Sequence, residues 1–172
     1  MQSDAAKLAP LMRSVIRLRE MRTFALAFLL FVTAGCSIGV TVHDEDRASE
    51  LIVDFLSSLK TDQGIQLAYD WTDDRFKKEV SPDKFAQIVS TIRQKNSGTD
   101  IRLVGYETFG AEEAITVYAF SENSQGKLYF KFTLVGTKHK DYNLLNFGLN
   151  DVGFETKGVY RDYGNTVIIH GV

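Results

Sequence analysis

Few residues in this chain have the types and spacing for chemistry. The sharpest is Cys36, the only cysteine, at the end of the uncharged run "FVTAGCSIG". A lone thiol cannot build an internal disulfide framework or a Cys-rich zinc site. What remains for it is an intermolecular bond, a reactive thiol or a point of covalent attachment. His43, His139 and His170 are scattered, and none stands at ligand spacing from another metal-binding residue, so no metal is expected. "TFGAEE" holds one glycine and lacks the lysine of a phosphate-binding loop. No serine sits in a nucleophile elbow, and Lys77-Lys78 reads as a solvated helical face. No catalytic or cofactor-binding constellation is legible, and no cofactor is expected.

The chain around these residues has 172 positions, room for one domain and a targeting segment. With 24% charged and 44% hydrophobic residues it has the composition of a globular protein, not a disordered one. A net charge of -2 offers no basic field, so nucleic acid is not expected as a partner. The charge is split. Residues 1–35 carry five basic side chains (Lys7, Arg13, Arg17, Arg19, Arg22) against two acidic ones (Asp4, Glu20), a net +3, which leaves -5 for residues 36–172.

The segment "MRTFALAFLLFVTAGC" explains the split. Arg22 gives a short positive region, Phe24 to Val32 an apolar core, and Thr33-Ala34-Gly35 a run of small residues. That is the layout of a secretory signal. Two other readings compete. Thr23 to Val42 is uncharged throughout and long enough to span a bilayer as an uncleaved helix, though its second half is only weakly apolar. It could also be an ordinary cleaved signal with Cys36 incidental. Met21 or Met12 would serve as a start, making residues 1–20 an over-extension of the reading frame.

Because the small residues end on a cysteine, the segment resembles a bacterial lipoprotein signal, with Thr33 where leucine is usual. The resemblance implies cleavage between Gly35 and Cys36 and a diacylglycerol on the Cys36 thiol. It places residues 1–35 in a signal peptide and residues 36–46 in a tether. The protein would then be a lipoprotein on the periplasmic face of the cell envelope. Ser37 after the cysteine favours the outer over the inner membrane.

The rest reads as helices followed by strands. Ala48, Leu51, Ile52, Phe55, Leu56 and Leu59 form one apolar face of a helix. A second short helix is expected from about Gln63 to Tyr69, with a break near Trp71-Thr72 and a turn over 73–78 that can take helical form. "SPDKFAQIVSTIRQ" is a third helix, with Ser81 as N-cap and Pro82 at its first position. The period then changes to two, with strands expected at 101–109, 114–120, 127–135 and 142–149. That order is an α+β pattern. The tail, 151–172, is a C-terminal extension, and its "TVIIHGV" could add an edge strand or hang loose.

The stretches "ASELIVDFLSSLKTDQGIQLAYDWTDDRFKKEVSPDKFAQIV" and "YFKFTLVGTKHKDYNLLNFGL" resemble the nuclear transport factor 2-like superfamily, closest to its small bacterial lipoproteins. The resemblance covers about residues 47–150, with Tyr142 where a tryptophan usually opens the last strand. It implies three N-terminal helices packed on a curved antiparallel sheet of about four strands, often leaving an apolar pocket. It does not imply one function. Phe130 and Phe132 should point from the sheet to the helices and meet Phe55 and Phe85. Tyr69, Trp71, Phe130 and Phe132 are the candidate pocket residues. Enzymes of that superfamily put polar groups inside the cone. The nearest materials here are Tyr69, Asp70, Asp73, Asp74, Tyr106 and Tyr118, which no spacing fixes together. The favoured expectation is a non-catalytic domain that binds an envelope protein or a small apolar ligand, held to the membrane through an acylated Cys36. The alternative is a small isomerase, dehydratase or hydrolase working in the pocket.

Overall fold

The computed structural model describes residues 41–110 and 112–171. Cys36, Gly35 and the signal segment lie outside them. The described part is α+β, with four helices followed by an open antiparallel sheet of five strands. Two expectations are thereby corrected: three helices become four, and about four strands become five. None of these helices is long and apolar enough to cross a membrane.

The helices are α1 (Glu45–Ser58), α2 (Asp62–Asp70), α3 (Asp74–Glu79) and α4 (Pro82–Asn96). Each starts on a side-chain oxygen that accepts an otherwise unpaired backbone N–H: Asp44 from Arg47, Thr61 from Gly64, Asp73 from Arg75 and Ser81 from Lys84. The extra helix, α3, is a single short stretch of "DRFKKE" with one apolar residue, Phe76, so it has no periodicity to read. Asp73 nucleates it, and the Arg75 side chain hydrogen-bonds to the same carboxylate at 2.7 Å.

The strands are β1 (Ile101–Thr108), β2 (Ala114–Asn123), β3 (Gly126–Thr137), β4 (Lys140–Asn150) and β5 (Val159–Ile169), in the order β4-β3-β2-β1-β5. The fifth strand is the tail, paired antiparallel with β1. Of the two options for the tail, an added edge strand or a loose extension, the edge strand is the one found, and the sequence left it open for two reasons. One of its edges and most of its side chains face solvent, so little apolar alternation is needed. A register shift also interrupts it: Leu103 pairs with Val167 but Gly105 with Asp162, so Val104 stands opposite residues 163–166.

The helices cover one face of the sheet. Phe55 lies 6.2 Å from Phe132 and 6.3 Å from Phe85 between ring centroids, and Phe130 stacks on Phe132 at 6.2 Å. Phe147 closes the cluster against Phe55, Phe76 and Phe85. The expected meeting of Phe130 and Phe132 with Phe55 and Phe85 is what the core contains. At the β4 edge, the break after α2 joins the sheet. The Asp73 amide donates to the Leu144 carbonyl at 2.8 Å, and the Leu144 amide to the Trp71 carbonyl at 3.0 Å. The chain before α1 is also bound to the domain. The Lys138 amide donates to the Val42 carbonyl, the Asp44 amide donates to the Tyr142 hydroxyl at 2.9 Å, and His43 lies 3.1 Å from the Glu112 carbonyl.

Candidate functional site

The far face of the sheet, turned away from the helices, is built in rows. Reading across from β4 to β5, one row is Gly148, Lys131, Tyr118, Gly105 and Asp162. The row to one side holds Tyr129 and Phe120, and the row to the other holds Thr133, Thr116, Glu107 and Tyr160. Strand periodicity puts these side chains on one face. The result is a field of rings with two glycines in it.

The connection from β4 to β5, residues 151–158, must cross this face, because the two strands are the opposite edges of the sheet. Four strand gaps of ~4.8 Å make ~19 Å across. Asn150 is level with Arg102 and Val159 pairs with Thr108, a further ~20 Å along the strands. The segment starts with a turn, in which the Asn150 side chain accepts from the Val152 and Gly153 amides and donates to the Gly153 carbonyl, and then crosses the face as a strap.

Two contacts hold the strap down. Phe154 lies 6.5 Å from Tyr118, over Gly148, where a Cβ would stand 3.6 Å from its ring. Beyond it, the backbone amides of Lys157 and Gly158 both donate to Oε1 of Glu107. The Tyr118 hydroxyl donates to Oε2 of the same carboxylate at 2.5 Å. Glu107 is completely buried. Burial alone would raise its pKa, but the Tyr118, Gly158 and Lys157 hydrogen bonds and the Lys131 charge outweigh it and hold the carboxyl below its ordinary range. Tyr118 is shifted upward, by its own burial first and then by donating to Glu107. Burial also raises Tyr160, helped by its hydrogen bond to Asp162.

Between strap and sheet lies a cleft of about 250 Å³. Its walls are Val104, Tyr118, Phe120, Tyr129 and Tyr160 from the strands and Val152, Phe154 and Thr156 from the strap. Tyr118 and Tyr160 are 5.9 Å apart, and Phe120 and Tyr129 are 6.5 Å apart. Such a space suits a small apolar body with a few polar groups at its rim. Glu107 is not one of these walls and is committed to three donors, one of them the Tyr118 hydroxyl.

Of the expected pocket residues, Phe130 alone borders this cleft. Phe130 and Phe132 are buried in the helix-side core, where Phe130 also backs the cleft. Tyr69 packs on Phe85 at 5.5 Å and donates to the Val80 carbonyl at 2.8 Å. Trp71 borders a separate groove beside Leu67 and Gly64. Tyr69, Phe130 and Phe132 belong to one aromatic core, connected through Phe85 and Phe55, and the half-buried Trp71 packs against that core. The Asp and Tyr side chains considered for catalysis do not converge either. Asp70 accepts from Gln66, Asp73 caps α3, Tyr106 faces Glu45 on the helix side, and Tyr118 is on the far face. Among the described residues no group of three or more His, Cys, Asp or Glu could hold a metal.

Sequence reasoning missed Glu107, Phe154 and Tyr160. A signal existed for the first: a glutamate in the middle of the apolar strand "IRLVGYETF" needs a buried partner. Comparison with family models, curated proteins and solved structures finds no match to this chain.

Proposed function

We propose that this chain is a lipid-anchored protein of the cell envelope whose domain binds a small apolar ligand in the strap cleft and catalyses no reaction. The anchor is supported by sequence alone: a signal-like segment that ends in small residues on the single cysteine, Cys36. Two acyl chains on that thiol would hold the protein to the membrane, since a single chain binds only marginally. Support for the binding role is one observation, the cleft of about 250 Å³ walled by rings from the sheet and the strap. Glu107 lies outside the cleft's walls and accepts three hydrogen bonds, which speaks against the isomerase, dehydratase or hydrolase reading.

Two experiments test the two halves. Intact mass of the membrane-extracted protein should show a chain that begins at Cys36 and carries lipid, and Cys36→Ser should take up no labelled fatty acid. A wild-type protein without lipid overturns the anchor. For the domain, calorimetric titration of the lipid-anchored protein in nanodiscs with a naphthalene-sized ligand should show saturable binding that Tyr160→Ala and Phe154→Ala weaken. Equal binding by both variants removes the cleft from the account.

A further inference from the structure

The strap that forms the outer wall of the cleft is fixed at its two ends by different chemistry. Its start is the Asn150 turn, held by amide groups that do not titrate. Its far end converges on one carboxylate, Glu107, which takes both the Lys157 and the Gly158 amide. Gly158 seats there so closely that a Cβ on it would run into the Thr108 carbonyl oxygen and stand 3.2 Å from Glu107 Cγ. Between the ends, the Phe154 ring rests on Tyr118, and Val152, Gly153, Phe154 and Thr156 face the sheet across the cleft. The groups around Glu107 make it the one switchable point. Tyr118 faces it from β2, Tyr160 stands opposite it on β5 with its hydroxyl turned to Asp162, and Lys131 on β3 reaches it by charge. Tyr118 and Tyr160 are both shifted upward and keep their protons throughout the acid range. The strap's own acids, Asp151 and Glu155, are exposed.

Resting on the cleft reading above, we propose that the strap is an acid-released lid: the Glu107 carboxylate holds it closed over a bound ligand, and a proton on that one group lets the ligand go. The ionised carboxylate accepts all three bonds. A protonated one carries a hydrogen on one of its oxygens, so either a strap amide loses its acceptor or the Tyr118 hydroxyl must turn to accept. The bonds that remain go to a neutral group and are about half as strong. The direction follows from the folded pKa, which lies below the ordinary 4.5: the lid is closed above that pH and is released as pH falls through the folded value. The coupling is reciprocal, so a ligand that needs the closed cleft pushes the pH of opening lower still.

Release of 2-naphthol, neutral and fluorescent across the acid range, reports the lid when followed by stopped flow from the lipid-anchored protein in nanodiscs, with empty nanodiscs as the blank. In the wild type the release rate should rise at least about 10-fold as pH falls from about 7 to about 3.5, while the β2 and β3 amides stay protected from exchange. Glu107→Gln should release fast at neutral pH and show no acid step. Gly158→Ala keeps the carboxylate but cannot seat the strap, and it should also release fast at neutral pH. Tyr118→Phe keeps the ring, removes one donor from the carboxylate and should move the acid step to higher pH, a shift that a merely structural role would not produce. A wild-type release rate independent of pH, or an acid step that survives in Glu107→Gln, overturns the lid while the cleft stands. A wild type that binds no 2-naphthol at neutral pH overturns the cleft reading itself.

Discussion

Replacing Glu107 with glutamine should unlatch the strap without disturbing the core. The side chain keeps its shape and loses its charge. In the wild type it accepts three hydrogen bonds: from the Lys157 amide, the Gly158 amide and the Tyr118 hydroxyl. A bond to a charged acceptor contributes about 1.5–3 kcal/mol and a neutral one about 0.5–1.5. Three such bonds lose about 2–3 kcal/mol together once the strap's freedom to move into water is allowed for. The loss is local, because Phe132 and its neighbours lie on the other side of the sheet. Hydrogen exchange is the suitable assay. Protection of the Lys157 and Gly158 amides should fall by about 30- to 150-fold, while amides of β2 and β3 in the centre of the sheet keep theirs. A melting shift of several degrees should accompany it. If both strap amides exchange in Glu107→Gln as they do in the wild type, the carboxylate is not what holds the strap, and the reasoning fails.

Three further outcomes follow from the same geometry. Glu107 has a folded pKa below its ordinary 4.5, so its contribution is fully present above that pH and is lost as pH falls through the folded value. Strap protection factors should therefore drop below about pH 4.5 in the wild type and show no such step in Glu107→Gln. Phe132 is 1% exposed, and Phe132→Ala should cost about 3–5 kcal/mol in chemical denaturation; a loss under 1 kcal/mol would mean the core is not packed as described. Gly105→Ala would put a Cβ 2.5 Å from the Arg161 carbonyl oxygen and against the Tyr160 hydroxyl. It should loosen β5 at about 1–3 kcal/mol, visible as faster exchange of the β5 amides paired with β1, and unchanged exchange there would contradict the close approach.

Local signals carried most of the fold into the sequence. Ser81 and Pro82 begin α4 because capping depends on residues three positions apart, and Phe55, Leu56 and Leu59 reveal α1 because a helix repeats every 3.6 residues. Leu128, Phe130, Phe132 and Leu134 mark β3 by alternation. The features left open are those set by distant parts of the chain. α3 owes its existence to Asp73 and to the attachment of the preceding break to β4, and neither leaves a periodic pattern. β5 is defined by pairing with β1, some sixty residues away, through a register shift. The site was hidden for the same reason. "DVGFETKG" reads as a polar turn, and only the edge-to-edge position of β4 and β5 turns it into a strap over Tyr118 and Glu107. Aromatic residues such as Tyr69 and Phe132 looked like pocket walls, but facing aromatic rings from helix and sheet fill space between them instead of enclosing it.

The strap cleft as the binding surface is tested most directly by mapping exchange with a ligand in place. Amide hydrogen exchange of the lipid-anchored protein should be measured with and without a naphthalene ligand near saturation. The account predicts added protection at Val152 to Thr156 and around Tyr118, Phe120 and Tyr160, with none around Trp71 and Leu67. Protection confined to the Trp71 groove, or spread through the helix-side core while the strap is unchanged, would contradict it.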